Sequence, residues 1–305
     1  MLYTIFFLMI VILILTHSQE AAGYAAQGFL LWYSKMIPSL LPFMILSGLM
    51  IRMGVSKRLG SWFRPFLGPL LRCRANVIYG VLIGFLCGFP MGARVAAQLY
   101  QSGKITNREA RFLLAFCNNI GPVYFCSFVL PLLERKLVLP YILGMYGLPL
   151  LYGIFLRYTF FRDIPQHDEK QDSKTISVSA SPALLSHLDT SVQAGLQSII
   201  SLCGYMILFN LLNLIPQLLL PHFSVWIAPL LEITSGLSQL GQSCPLYSLL
   251  VLPFGGLSCI AQTYSMIQET DLPLGEYILH KLLLTAFTAI YYLVWALTIP
   301  HLFLL

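Results

Sequence analysis

Apolar stretches recur along the whole chain and are separated by short segments that are polar or rich in glycine and proline. A membrane-spanning helix needs about 20 mainly apolar residues, and the longer stretches approach or exceed that length. They lie at residues 37–54, 112–133, 137–160, 190–219 and 276–303. The pattern predicts an all-α, polytopic membrane protein.

Residues 2–16 form a shorter apolar stretch at the start of the sequence. Two interpretations are open: a signal peptide that is removed, or a first helix that is retained. A signal peptide begins with positive charge, and no Lys or Arg precedes this stretch. We therefore expect a retained transmembrane helix within residues 1–24.

Composition supports a bilayer environment. Hydrophobic residues make up 57% of the chain and charged residues 10%, and the mean hydropathy is +0.77. A soluble domain has about a quarter of its residues charged. The formal net charge is +6, but no basic and aromatic residues alternate as a nucleic-acid site would need. The lipid bilayer is thus an expected partner and nucleic acid is not.

No pattern of catalytic or metal-binding residues stands out. The seven cysteines are scattered through apolar segments without a C-x-x-C pair, and no two histidines have the spacing of metal ligands. Cysteines in such positions are typical of packed helices. The chain also lacks H-E-x-x-H, P-loop and nucleophile-elbow motifs. We predict no metal, no cofactor and no enzymatic activity.

Three segments of the first half recur in the second half in the same order. Residues 37–50 match 199–212, 67–71 match 227–231, and 92–100 match 256–264, at offsets of 162, 160 and 164 residues. Chance similarity between Leu-rich segments is the alternative, but the order and the shared polar residues favour an internal duplication, which is typical of transporters. The predicted organisation is an N-terminal helix at 1–24, a first repeat at 25–161, a cytoplasmic linker at 162–188 and a second repeat at 189–305.

Basic residues predict the topology. Lys and Arg concentrate at Arg52–Arg74, Lys104–Arg111 and Arg157–Lys174. If residues 75–100 enter the membrane and turn back, all three clusters share one face, as the positive-inside rule prefers. The number of crossings between the copies is then odd, so the second repeat is inverted. The loops expected on the opposite face carry Glu232, Glu269, Asp271 and Glu276.

Two breaks interrupt apolar helices, at residues 88–92 and 253–258. Pro90 removes a backbone donor, and the glycines allow positive φ or close approach. Broken backbone at membrane depth is tolerated only where it is buried in protein or lines a wet cavity. A helix that restarts after a break points its first N–H groups and its positive dipole end into the gap. Two opposed half-helices therefore predict an anion site near the membrane midplane.

Several polar residues near the breaks have two interpretations each. Arg94 either pairs with a substrate carboxylate or anchors the end of a hairpin. Gln98 and Gln262 follow the breaks at matched positions, and they bind either ligand or a neighbouring helix. Asn118 and Asn119 line a pore or join helices, and Glu232 couples a proton or lies in a surface loop. The predicted substrate-binding residues are Gly88, Phe89, Pro90, Gly92, Arg94, Gln98, Asn118, Asn119, Phe254, Gly255, Gly256, Ser258 and Gln262, with Glu232 as the candidate coupling residue.

The segments around these breaks resemble a known family. CGFPMGARVAAQL, FCNNIGPVYF and FGGLSCIAQTYSMIQETDL are similar to sporulation integral membrane proteins of the YlbJ type. Those proteins belong to the group with the nucleoside-recognition or Gate domain, which includes concentrative nucleoside transporters. The resemblance implies two inverted repeats with re-entrant helical hairpins and broken helices, as in the core of those transporters.

The resemblance also implies a function and a location. The family's proposed cargo is dipicolinic acid, a flat dianionic pyridine, and the expected location is the bacterial cytoplasmic or outer forespore membrane. We therefore expect a transporter of a small anionic aromatic solute. A non-transporting membrane factor for spore envelope assembly and a nucleoside transporter are the alternatives. The sequence leaves the driving ion, the direction and a homo-oligomeric state open.

Overall fold

The computed structural model describes residues 2–133, 138–166 and 182–299, and within these ranges the chain is helical and has no strand. Five helical segments are long and apolar enough to cross a membrane: Ser18–Arg52, Val138–Thr159, Leu184–Leu219, Pro245–Ile267 and Leu274–Thr298. The prediction of an all-α, polytopic membrane protein is confirmed. The predicted turn at residues 134–136 and the linker residues 167–181 lie outside the described ranges.

The N-terminal arm consists of α1 (Leu2–Thr16) and a long helix that begins at Ser18. This long helix comprises α2 (Ser18–Leu31), a π-helical turn at Trp32–Met36 and α3 (Ile37–Arg52). It therefore begins well before the stretch predicted from residue 37. The predicted boundary between residues 24 and 25 falls inside α2.

α11 (Pro182–Leu212) packs antiparallel to this long helix. The indole N–H of Trp32 donates to the Ile199 carbonyl over 2.7 Å. One turn earlier, a β carbon added to Gly28 would lie 2.8 Å from the Met206 carbonyl oxygen, so the backbones approach closely there. Residues 182–188, predicted as linker, form the first turns of α11.

The described residues of the three basic clusters lie together at one end of the molecule, which we call the basic end; Lys170 and Lys174 of the third cluster lie outside the described ranges. Arg74 Nε donates to Glu109 Oε1 over 2.8 Å, which joins the first cluster to the second. Arg108 pairs with Asp163 at 3.1 Å, which joins the second cluster to the third. For the described residues, the prediction that the clusters share one face is confirmed, and the basic end's cytoplasmic location remains a prediction.

α4 (Val55–Leu71) borders the basic end and meets the next helix, α5 (Ala75–Cys87), at a bend of 91°. Buried Arg157 holds this corner. Its guanidinium donates to the carbonyl oxygens of Leu71 and Arg72, each over 2.9 Å. These bonds supply donors to carbonyl groups at the C-terminal end of α4, which have no partner within the helix.

The first hairpin comprises α5 (Ala75–Cys87) and α6 (Met91–Gln101), with a break between them as predicted. Gly88 has φ +78°, and the Phe89–Pro90 peptide bond is cis. α5 ends at Gly88 because the chain takes a positive φ there. A residue with a side chain would be strained in that conformation, whereas glycine is not.

The path of the hairpin follows from what surrounds Cys117. β carbons added to Gly84 and to Gly92 would both lie 2.7 Å from the Cys117 carbonyl oxygen. In a straight helix eight residues advance about 12 Å, so the two glycines could not both contact one atom. The chain therefore turns sharply between them, as the re-entrant interpretation of residues 75–100 requires.

The first broken helix follows the hairpin. α7 (Asn107–Phe116) starts at the basic end with Thr106 and Glu109 forming a capping box. The chain is not helical at residues 117–121, and it resumes with α8 (Pro122–Tyr124), a π-helical turn at Phe125–Val129 and a 3-10 turn at Leu130–Leu132. The span predicted at 112–133 is therefore two helical pieces. After it come α9 (Val138–Ile142), a π-helical turn at Leu143–Gly147 and α10 (Leu148–Thr159).

The second half contains another hairpin and another broken helix. After α11 the helices are α12 (Leu214–Leu219), α13 (Ser224–Leu231), α14 (Ile233–Leu240), α15 (Pro245–Val251), α16 (Gly256–Ile267) and α17 (Leu274–Thr298). α13 and α14 form the second hairpin, because a β carbon added to Gly236 would lie 2.2 Å from Pro229 N. α15 and α16 are two pieces separated by the predicted break, where Gly255 and Gly256 have φ of +76° and +78°.

One predicted location is wrong. The acidic loop between α16 and α17 was expected opposite the basic clusters, but it contacts them. Asn107 donates to Asp271 over 3.0 Å, and Arg111 pairs with Glu276 at 2.6 Å. Hydrogen bonds, chiefly from Tyr100, hold the pKa of Asp271 below its ordinary value. Opposite charges attract here, and acidic residues contribute little to the positive-inside rule.

A second correction concerns the matched segments 92–100 and 256–264. An inverted repeat requires them to run in opposite directions. α6 and α16 instead start at breaks that touch, through Phe89 and Gly255, and their last residues line one cavity, through Gln101 and Gln268. They run in the same direction, so this pair cannot be related by inversion. The inverted repeat as a whole remains a prediction.

Candidate functional site

Each hairpin tip packs on the broken helix of its own half. A β carbon added to Gly88 would lie 2.2 Å from Gly121 N, so the first tip contacts the interruption at 117–121. One added to Gly256 would lie 3.0 Å from the Pro229 carbonyl oxygen, next to the second tip. Residues with a side chain would separate these backbones, which gives both glycines a packing role.

The two halves also contact each other at these points. Phe89 Cζ would lie 3.3 Å from a β carbon added to Gly255, so the first tip reaches the second break. The Tyr124 hydroxyl lies 3.3 Å from Thr234 Oγ1, which brings the first broken helix to the second tip. The predicted meeting of the two breaks is thus present.

A buried cavity lies where these elements converge, and we call it the central cavity. Its volume is about 30 Å³, and a water molecule needs about 10–15 Å³ by this measure. It therefore has room for two or three waters and not for an aromatic solute. Its polar and aromatic lining includes Phe89, Tyr124, Glu232, Thr234 and Gln262.

Glu232 is the acidic residue of the central cavity. It is only 2% exposed, so the interpretation as a surface loop is wrong. Its carboxylate accepts from the N–H groups of Thr234 and Ser235, at 3.1 and 2.7 Å, and so caps α14. A carboxylate at a helix N-terminus is stabilised by the helix dipole. This end of a half-helix therefore already holds a negative group of the protein.

Asn118 joins several elements at the first interruption. Its amide donates to Thr263 Oγ1 over 2.9 Å and to the Tyr277 hydroxyl over 3.1 Å. Its Oδ1 accepts from the Ala93 N–H over 3.3 Å. These contacts correspond to the helix-joining interpretation of Asn118.

The hydrogen bond from the Ala93 N–H to Asn118 bears on the anion site that was predicted from free backbone N–H groups. At the start of α6 the Gly92 N–H bonds to the Gly88 carbonyl at 3.2 Å, and the Ala93 N–H bonds to Asn118. These amides are therefore not free to bind an anion, contrary to the prediction. The physical reason is that Asn118 already supplies the acceptor that the restarted helix needs.

Lys281 lies beside the two breaks and was missed. It is buried on α17, and its ammonium donates to the Asn118 carbonyl over 2.8 Å. The ammonium also lies 5.1 Å from the centroid of the Phe89 ring, a cation–π distance. A lone Lys in an otherwise apolar helix was the signal available in the sequence, because such a residue faces protein or water.

Arg94 and Gln98 line a different space, which we call the polar cavity. Its volume is about 230 Å³, and it lies between α3, α6, α11 and α16 toward the basic end. Arg94 is 4% exposed, and its Nη1 atom has no hydrogen-bond partner among the described residues. The same is true of Gln98 Oε1. The walls and mouth also carry Arg52, Gln101, Gln197, Ser201, Gln268 and Glu269.

The remaining predicted residues make local contacts. Gln262 Nε2 donates to Ser258 Oγ over 2.8 Å while facing the central cavity, so it and Gln98 serve different cavities. The Asn119 amide donates to the Phe116 carbonyl, and its own carbonyl accepts from the Phe89 N–H. Pro90 is buried and Phe254 is half-buried at the breaks.

Comparisons with known proteins indicate which proteins this chain is similar to. Residues 33–147 match the family model Gate, described as nucleoside recognition. The chain is 26% identical over 329 aligned residues to the sporulation integral membrane protein YlbJ of Bacillus subtilis (strain 168), an alignment that covers 94% of this chain and 80% of that protein. No solved structure matches the chain significantly. Both matches agree with the resemblance seen in the motifs: residues 33–147 are similar to the Gate family, and the chain is similar, along nearly its whole length, to the sporulation integral membrane protein YlbJ.

Proposed function

We propose that this protein is a carrier that moves a small organic anion across a membrane during sporulation, with dipicolinate as the cargo. The observation that carries the proposal is the convergence of both hairpin tips and both broken helices on one buried cavity. Irregular backbone at membrane depth serves a water-lined path or a binding site in transporters. The name of the relative supports sporulation, and the Gate description supports a small solute.

The charges near the breaks suit a transported anion. Lys281 lies against Phe89, just before α6 begins. Arg94 lies further along α6, in the direction of the basic end. Buried cations of this kind in membrane proteins mark ion or substrate pathways. A spore-forming bacterium would place such a carrier in its cytoplasmic or outer forespore membrane, with the basic end in the mother-cell cytoplasm.

Glu232 gives the carrier a means of coupling. An ionised Glu232 would repel an anion entering the central cavity, and the repulsion is strong where water is excluded. A proton on Glu232 removes the repulsion. We therefore propose that the anion passes together with a proton, and that Glu232 carries the proton.

Uptake into proteoliposomes tests both proposals. Labelled dipicolinate and uridine would be offered with and without a pH gradient, acidic on the side of the solute. We expect dipicolinate uptake that the gradient increases. Glu232→Gln should keep uptake but lose the response to the gradient, while Glu20→Gln, an exposed acid on α2, should behave as wild type.

The opposite results are distinct. Uptake of uridine without dipicolinate would establish a nucleoside carrier instead. No uptake of either solute under any gradient, by protein that is folded in the membrane, would favour the non-transporting envelope factor. A full gradient response in Glu232→Gln would remove Glu232 from the coupling.

A further inference from the structure

The polar cavity contains cationic groups without a counterion. Arg52 and Arg94 both line it, and neither pairs with a carboxylate among residues 2–133, 138–166 and 182–299. Its one acidic residue, Glu269, is exposed at the mouth. Arg52 is likewise exposed at the mouth, so the buried charge of the cavity is that of Arg94, and a buried cation without a counterion is costly.

The unpartnered atoms point to what would bind. Arg94 Nη1 is a buried donor without an acceptor, and a guanidinium presents its donors in a plane that matches a carboxylate. Gln98 lies one turn further along α6 and faces the same space. A half-turn of its amide exchanges the oxygen for the NH2 group, which would add a second donor.

The cavity is also large enough and reaches both halves of the chain. Its volume of about 230 Å³ is several times that of the central cavity, at about 30 Å³. Arg94 and Gln98 come from the first half, whereas Gln197 and Ser201 come from α11 and Gln268 from the end of α16. A ligand here would contact both halves at once.

We propose that the polar cavity is the first binding site for the transported anion: one carboxylate of a flat dicarboxylate binds Arg94, and the second lies nearer Arg52 at the mouth. The site is separate from the helix breaks and is reached from the basic end. This inference rests on the proposed transport of an organic anion. It gives that anion a site which the central cavity, in this structure, is too small to provide.

Binding to the purified, full-length protein in detergent tests the inference. The probe is labelled pyridine-2,6-dicarboxylate, with pyridine-2-carboxylate and inorganic phosphate as competitors. Arg94→Gln should weaken binding at least about tenfold, because a charge-assisted hydrogen bond is lost. Ser201→Phe should also weaken binding, because the larger side chain fills the cavity from an exposed helix position while both arginines stay in place. Arg58→Gln, an exposed basic residue of α4 outside the cavity, is the matched control and should bind as wild type.

The results separate the site from the transport function. Wild-type affinity in both Arg94→Gln and Ser201→Phe would overturn the site, even if uptake persists and the carrier stands. Equally tight displacement by phosphate would overturn the dicarboxylate assignment. Weakened binding in the two cavity variants, with no uptake by wild-type proteoliposomes, would support the site and reject the carrier. Ser201→Phe keeps the test decisive if Arg94→Gln fails to fold.

Discussion

Asn118 and Asn119 are adjacent amides at the same membrane depth, yet they make very different contacts. Asn118 bonds to groups on α6, α16 and α17, whereas the side chain of Asn119 bonds within its own turn, to Phe116. The sequence could not separate them, because both have the same chemistry. Only the packing of distant helices decides which amide joins them.

Replacing each by alanine should therefore have unequal effects. Asn118→Ala leaves buried partners without a bond, each costing about 1–3 kcal/mol, so we expect a loss of stability of at least about 3 kcal/mol. Asn119→Ala should cost about 1 kcal/mol. The thermal unfolding midpoint in detergent measures both. Equal midpoints would contradict a role for Asn118 in holding these helices together and would favour a role in ligand binding.

Lys281 and Glu232 show the limit of reading charge from a sequence. Both are buried, at 2% exposure each, and both lie beside the breaks. Glu232 lies between the apolar helices α13 and α14. From the sequence alone, the turn at this position could lie at the protein surface or form a buried hairpin tip. Burial was settled by the contact of this tip with Gly256, which is 24 positions away.

At the scale of elements, the breaks were predictable and their partners were not. Proline and clustered glycines at 88–92 and 253–256 interrupt helices by a local steric rule, so the sequence carries that information. That Phe89 would reach Gly255 depends on how whole helices pack. The sharp turn between Gly84 and Gly92 was predictable by a different signal, because the distribution of Lys and Arg requires residues 75–100 to turn back.

The contact between the breaks can be tested with two matched glycines. Gly255 and Gly54 both have left-handed backbone, with φ of +76° and +72° and ψ of 0° and 8°, so an alanine at either costs about 1–2 kcal/mol in strain. Gly54 has open space around it, whereas a β carbon at Gly255 meets Phe89 and Cys259 at 3.2–3.3 Å. We expect Gly255→Ala to lower dipicolinate uptake severalfold and Gly54→Ala to leave it nearly unchanged, at similar thermal midpoints. Uptake that falls equally in both variants would mean that strain alone matters.

At the scale of the whole molecule, the directions of the helices indicate which parts of the two halves correspond. This correspondence differs from the one that the matched sequence segments predict. The first hairpin, with its tip at 88–90, corresponds by shape to the second, with its tip at Glu232. The two broken helices, interrupted at 117–121 and at 252–255, correspond to each other. α3 and α11 run antiparallel, as inversion requires, while α6 and α16 do not. Similar residues can recur because both segments pack beside a break, without being related by the symmetry.

Sidedness decides whether this arrangement can carry an anion from one compartment to another. The loop at 102–106 and the loop at 268–273 both lie at the basic end, because Asn107 contacts Asp271. The loop at 241–244 lies at the opposite end, since Gln242 donates to the Pro131 carbonyl over 3.2 Å, at the far end of the first broken helix. The chain should therefore expose the first two loops to one compartment and the third to the other.

Single cysteines in a cysteine-free background measure this directly. Ser102→Cys, Glu269→Cys and Ser243→Cys are exposed positions in the three loops. With a membrane-impermeant thiol reagent outside intact cells, we expect Ser243→Cys to react and the other two to react only after the membrane is opened, because basic residues favour the cytoplasmic face. Protection of Ser102→Cys together with labelling of Glu269→Cys would show that the acidic loop is on the outer face. The polar cavity would then have no single face through which a cytoplasmic anion could enter.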